Sequence, residues 1–237
     1  MTYRSLFIDL DDTLCDTSTG DKKAVADYDQ ILLNKWDVAT NHNIAAKLIH
    51  AIYQPPVDDQ YKTLRNSNPA EHRSMLLFNI FKEAELDHIS QSECSELNDV
   101  FMELRMKYFD FFDGALDLLK LYKKKYKCVL ITNGPTYSQR LKIARCNVES
   151  HVDHILVGGE QPHSKPHASI FKRACELVGC ATNEVIHMGD SLFSDIGGAN
   201  GVGMDCIWIN AENKEIPAEY HVKWKVSSFV ETSSFLL

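Results

Sequence analysis

Five short apolar runs constrain this chain more than any other feature. They are Leu6-Phe7-Ile8, Cys128-Val129-Leu130-Ile131, Ile155-Leu156-Val157, Val185-Ile186-His187-Met188 and Cys206-Ile207-Trp208-Ile209. Each is continuous rather than alternating, and each ends in polar or glycine residues. A parallel strand covered on both faces reads this way, because neither side of it meets water. Helical patterns separate the later runs. Residues 136–146 are amphipathic. Ile170, Phe171, Ala174, Leu177 and Val178 share a face ahead of Gly179, and Gly114 opens a third helix that closes on Lys123–Lys125. Strand–helix–strand alternation predicts right-handed crossovers and an α/β fold, a Rossmann-like doubly wound parallel sheet.

The interval between the first two runs breaks that rhythm. Residues 16–110 hold no strand-like run but four helical ones, near 22–36, 41–53, 71–86 and 92–109, with breaks at Gln54-Pro55-Pro56 and Asn66-Ser67-Asn68-Pro69. The expected organisation is a catalytic core of residues 1–15 and 111–237 interrupted by an all-helical cap of residues 16–110.

Composition narrows the partners. Twenty-five Lys and Arg against 33 Asp and Glu give a formal charge of −8, opposite in sign to a phosphate-backbone binder. No apolar run approaches bilayer length, and the amino terminus has no long apolar core of a signal peptide. Seven cysteines without a C-x-x-C pair lie mostly in apolar stretches and read as reduced, buried thiols. The expectation is a cytoplasmic protein that binds neither nucleic acid nor membrane.

Ligands of open parallel sheets sit beyond the carboxyl ends of the strands. The first strand delivers Asp9-Leu10-Asp11-Asp12-Thr13 there, and the second Thr132-Asn133-Gly134. Lys165-Pro166 follows the third, and the fourth delivers Gly189-Asp190-Ser191 with Asp195 five residues on. Taken singly, each is an ordinary turn, cap or strand exit. Together, carboxylates, a hydroxyl and an ammonium converge on one sheet edge. Carboxylates gathered so closely repel unless a cation lies among them, and hard oxygen donors suit Mg²⁺. Lys165 and Thr132 add positive charge and a donor for a tetrahedral anion.

These motifs resemble the four ordered motifs of the haloacid dehalogenase-like hydrolase superfamily: Phe7–Leu14, Ile131–Gly134, Lys165-Pro166 and Gly189–Asp195. The resemblance extends to the helical insertion, so it implies a cap that opens to substrate and closes against water. It also implies Asp9 as the nucleophile that forms an aspartyl-phosphate, and Asp11 as the acid and then base. Thr132 and Asn133 would hold phosphate oxygens, and Lys165 would neutralise charge. Mg²⁺ would be held by Asp9, the main-chain carbonyl of Asp11, Asp190 and, through water or as an orienting group, Asp195. The dehalogenase branch lacks the acid at position 11, so its presence implies a phosphomonoester hydrolase acting on a small phosphorylated metabolite. A narrower likeness spans residues 139–175 and 203–210 and points to the branch that acts on N-acylneuraminate 9-phosphate. Other small phosphates (a nucleoside monophosphate, phosphoglycolate, a sugar phosphate) are the alternative, and a non-catalytic binding protein of this fold is the reading from a different class. In the cap, Arg65 is expected to meet a substrate carboxylate.

The remaining features read structurally. Gly197–Gly203 lacks the Lys-Ser/Thr of a phosphate loop and reads as close helix–sheet packing. His151, His154, His163 and His167 read as surface residues, His187 as a core histidine and Lys123–Lys125 as a solvated helix end. Tyr108–Phe112 reads as the hinge between cap and core, its rings buried between them.

Overall fold

A strand buried on both faces needs a hydrogen-bonded neighbour on each side and apolar cover above and below. The computed structural model describes residues 3–54 and 59–237, without side-chain detail at 59, 60 and 66. In chain order the first elements are β1 (Ser5–Ile8), α1 (Thr17–Trp36), α2 (Ile44–Tyr53), α3 (Asp59–Ser67), α4 (Pro69–Glu83) and α5 (Gln91–Tyr108). Then come α6 (Ala115–Lys125), β2 (Lys127–Thr132), α7 (Thr136–Arg145), β3 (His154–Val157), α8 (Ala168–Val178), β4 (Val185–Gly189), β5 (Asp205–Ile209) and β6 (Trp224–Val226). The contacts divide the chain into two units, Met1–Thr17 with Asp110–Leu237, and Ser18–Phe109.

The first unit carries one parallel sheet in the order β3-β2-β1-β4-β5-β6. β1 is central, with Leu6 facing Cys128 of β2 on one side and Ile186 of β4 on the other. Strand order reverses beside β1, which opens a crevice at the carboxyl ends of β1, β2 and β4. On one face Phe7, Val129, Ile131 and Leu156 bury against Ile170, Phe171 and Ala174 of α8. A Cβ on Gly198 would stand 2.4 Å from the Phe171 ring, so close packing holds at this glycine, whereas Gly203 has open space around it and a left-handed φ of 67°. α6 buries Ala115, Leu118, Leu119 and Tyr122, and Tyr122 meets Phe229 edge-on at 5.8 Å.

β6 escapes the apolar-run criterion. Trp224-Lys225-Val226 is short, and its middle residue is exposed because this is the sheet's edge. Lys123 and Lys125 are more than a solvated end: Lys123 Nζ donates to the carbonyls of Ser150 and Val152, and Lys125 Nζ to that of Leu236. All seven cysteines are free, five of them buried and Cys146 and Cys180 partly so.

The second unit is helical. Tyr28, Leu32, Leu48, Leu77, Phe81, Leu97 and Phe101 form its core, with Tyr28 and Phe101 ring centroids 4.9 Å apart. Its helix ends carry the expected chemistry. Asn68 accepts from the Glu71 N–H ahead of Pro69, and Ser90 and Glu93 form a reciprocal capping box. α3 is a helix that its weakly apolar sequence did not announce. The Pro55-Pro56 break lies outside the described residues. Arg105, 2% exposed, donates from Nε and Nη2 to the two carboxylate oxygens of Asp21. The unit boundary falls within the aromatic run, where Phe109 is buried but Phe111 and Phe112 are partly exposed, contrary to the expectation of fully buried rings. Among the described residues no helix is long and apolar enough to cross a membrane.

Candidate active site

The site grows from the end of β1. Asp9 extends the ladder with its N–H on the Met188 carbonyl (2.9 Å), and the chain then closes a tight turn as Leu14 and Cys15 N–H groups reach the Leu10 carbonyl. Asp12 takes up a left-handed backbone at φ 54°, a conformation Asp tolerates better than most residues. Two residues apart, Asp9 and Asp11 then meet different cations.

Asp9 is buried, and its Oδ1 accepts from Lys165 Nζ at 2.5 Å while Oδ2 accepts from the Thr13 hydroxyl at 3.3 Å. Lys165, itself buried, spends its remaining donors on Asp195 Oδ1 (2.7 Å) and the Ile131 carbonyl (2.7 Å). Asp195 Oδ1 accepts a second bond, from His187 Nε2 at 2.9 Å, and Oδ2 accepts from the Ser191 N–H. Gly189 makes room for this carboxylate, since a Cβ there would stand 2.2 Å from Asp195 Cγ. Asp190 is placed by its main chain, whose carbonyl accepts from the Trp208 indole at 2.8 Å. Its carboxylate has no ion pair among the described residues.

Asp11 has a separate set of donors. Lys142 Nζ and the Thr17 hydroxyl each lie 2.5 Å from Oδ1, and Gln139 Nε2 lies 2.8 Å from Oδ2. The same Gln139 nitrogen is 2.5 Å from the Thr132 hydroxyl oxygen. Asn133 has a further use. Its Nδ2 donates to the Lys165 carbonyl and its Oδ1 accepts the Lys165 N–H, at 2.8 and 2.9 Å, so the side chain clamps the lysine loop and keeps one amide hydrogen for a further acceptor. Arg65 differs from expectation. In the helical unit its Nη1 and Nη2 donate to the carbonyls of Gln54 and Ile52 at the end of α2, a helix-capping use of the guanidinium.

The electrostatics follow from these partners. Burial raises Asp9 well above the ordinary carboxylate range; Lys165 opposes this, and Asp195, Asp190 and Asp11 add to it. Burial, with the charges of Asp195 and Asp12, raises Asp190 to about 7. In Asp195 and Asp11 burial acts the same way but is outweighed. Lys165 and His187 hold Asp195 low, and Lys142 with its neighbouring donors holds Asp11 low. His187 is pushed down by burial, with Asp195 opposing.

Asp9, Asp190 and Asp195 each offer an oxygen within 4.8 Å of the others. This all-oxygen set, with Asp190 uncompensated, fits a hard divalent cation. The side chain of Asp11, turned to Lys142, is outside it. The surface histidines take no part in it, and His163 and His167 stack on each other at 4.1 Å.

Gln139, Lys142, Thr17 and His187 were not singled out for this site by sequence reasoning. The available signal for the first two was a polar pair three residues apart on a helix face, which is buried here.

Comparison with known proteins adds the following. Residues 3–203 match the family model described as haloacid dehalogenase-like hydrolase. The chain is 26% identical to the N-acylneuraminate-9-phosphatase of Mus musculus, over 98% of this chain and 93% of that protein. It is 30% identical to the glyceraldehyde 3-phosphate phosphatase of Pyrococcus furiosus, over 91% of this chain and 84% of that one. Among solved structures, the HAD-hydrolase YfnB of Bacillus subtilis bound to magnesium superposes with a TM-score of 0.71 at 19% identity, covering 100% of this chain and 99% of that one, a likeness of fold.

Proposed function

We propose that this chain, which belongs to the haloacid dehalogenase-like hydrolase family, is a phosphatase that hydrolyses small phosphomonoesters through an aspartyl-phosphate on Asp9. The observation that carries this reading is the division of two neighbouring carboxylates between two lysines, Asp9 with Lys165 and Asp11 with Lys142. Carboxylates in unlike surroundings can take unlike roles in one reaction.

An Asp9 oxygen attacks phosphorus, and the bond from phosphorus to the alcohol oxygen breaks as Asp11 delivers a proton to that oxygen. Water then adds to phosphorus, its proton passes to Asp11, and Asp9 is released with inorganic phosphate. Lys165 holds positive charge against Asp9 throughout. The Thr132 hydroxyl and Asn133, through its main chain and its second amide hydrogen, meet phosphate oxygens. Asp9, Asp190 and the main-chain carbonyl of Asp11, with Asp195 through water or as an orienting group, would hold Mg²⁺, which would supply further neutralisation of charge on the phosphoryl group.

The arrangement of Asp11 suits the second step better than the first. Held ionised by Lys142, Thr17 and Gln139, it is ready to accept a proton, whereas donating one requires it to leave Lys142. Lys142→Met removes that cation, so the pKa of Asp11 rises. Limbs of the kcat/KM profile governed by Asp11 then move to higher pH, as steady-state rates across pH 4–9 would show. Unmoved limbs would dissociate Lys142 from proton transfer.

For substrate we favour N-acylneuraminate 9-phosphate, on the strength of a relative with that activity in its name matching nearly the whole chain. A second reading, a smaller phosphate of the glyceraldehyde 3-phosphate kind, has the support of 30% identity over 91% of the chain. Seven free thiols suit a reducing compartment such as the cytoplasm. The reaction is tested with p-nitrophenyl phosphate. Turnover should require Mg²⁺, vanish with EDTA and return on adding Mg²⁺. A folded protein inert in every condition would leave the binding-protein reading instead. Comparing kcat/KM across phosphorylated sugars, phosphoglycolate and nucleoside monophosphates then separates the substrates.

A further inference from the structure

β4 is covered on both faces, and valine or isoleucine would fill its middle. His187 stands there instead, in register with Phe7 of β1 and Cys206 of β5, and is fully buried. Its Nε2 lies 2.9 Å from Asp195 Oδ1, its ring meets Phe171 edge-on at 5.2 Å, and its Nδ1 has no hydrogen-bond partner among the described residues. The partner decides the donor: an ionised carboxylate can only accept, so Nε2 carries a proton and donates it to Asp195. A polar ring in a strand interior is a departure from the apolar pattern around it. Departures of that kind concentrate where function requires them.

The acceptor atom shows what the histidine does. Asp195 Oδ1 is shared between His187 Nε2 and Lys165 Nζ, and the same Nζ reaches Asp9 Oδ1. We propose that His187 is a positioning residue for phosphoryl transfer: by occupying one side of Asp195 Oδ1 it aims that carboxylate so that Lys165 stays bridged to Asp9. The inference rests on the phosphatase reading and assigns a role the family motifs do not include. Without the imidazole, Ser191 N–H still holds Oδ2, but the carboxylate can turn about its last torsion, and Lys165 then follows it away from the attacking oxygen. Outer partners of this kind are worth about 10–100-fold in metal affinity or activity, and saturating Mg²⁺ separates the two.

The test uses the full chain with Mg²⁺ and p-nitrophenyl phosphate, comparing the parent with His187→Val, His187→Gln and His187→Asn. With Mg²⁺ saturating, His187→Val should lower kcat about 10–100-fold with KM nearly unchanged and Tm retained. His187→Gln, whose amide can reach Asp195, should recover most of kcat, and His187→Asn, which is shorter, should not. A loss of kcat that simply tracks a loss of Tm, or equal rates for the glutamine and asparagine variants, would overturn the positioning role. The second comparison decides the matter even where the valine variant does not fold. Full kcat in His187→Val overturns the role alone. No turnover by the parent overturns the phosphatase reading and this role with it.

Discussion

Asp9→Asn is expected to reduce turnover of a phosphomonoester at least about 10⁴-fold, the scale on which enzymes lose activity when a covalent nucleophile is removed. The fold should survive. Asp9 is buried among Asp195, Asp190 and Asp11, and burial and those like charges work against its ionised form while Lys165 favours it. A neutral amide of the same shape relieves both and forfeits one bond from Lys165, which keeps Asp195 and the Ile131 carbonyl. Thermal unfolding should therefore give an equal or higher Tm. A variant that still turns over within tenfold of the parent would assign the nucleophile elsewhere, and a collapsed Tm would show Asp9 to be a structural ion-pair partner first.

Lys165→Met should have the opposite character, costing fold and activity together. Lys165 is the common cation of two buried carboxylates, and removing one member of a buried pair costs about 3–5 kcal/mol because the remaining charge is left uncompensated. The sign with pH follows. Lys165 holds Asp195 below its unfolded pKa, a stabilisation present above the unfolded value and lost as pH falls through the folded one. The deficit of the variant should thus be largest near neutral pH and shrink under acid, as Asp9 and Asp195 take up protons in place of the lysine. Urea titrations of both proteins at pH 7 and pH 4 measure it. A deficit independent of pH would mean that packing of the lysine stem, rather than its charge, carries the effect.

What could be read in advance follows a physical line. The four central strands announce themselves because burial on both faces demands unbroken apolar sequence, and the β3 edge does so through Ile155-Leu156-Val157, whereas β6 keeps Lys225 exposed and sends no such signal. Asp9, Asp11, Lys165, Asp190 and Asp195 were legible because strand ends in a parallel sheet converge, so position along the chain implies proximity. The use to which a side chain is put was less legible. Asn133 lies at the strand end and its amide also clamps the Lys165 loop, a use its sequence did not announce, and Arg65 closes α2. Residue type states which bonds a group can make, and tertiary structure chooses among them. Lys142 and His187 show the converse: a lysine on a helix and a histidine in a strand look ordinary until the fold brings Asp11 and Asp195 against them.

The central position of β1 also has a consequence for synthesis. Its two neighbours begin at Lys127 and Val185, so residues 9–126 intervene before the first can pair with it. A ribosome thus releases the middle of the sheet first and both flanks late, and β1 must wait, apolar and unpaired, while the whole of Ser18–Phe109 emerges. Newborn chains that stall between residues 9 and 126 carry a naked Leu6-Phe7-Ile8 segment, which makes that interval of translation the stretch most in need of chaperone cover.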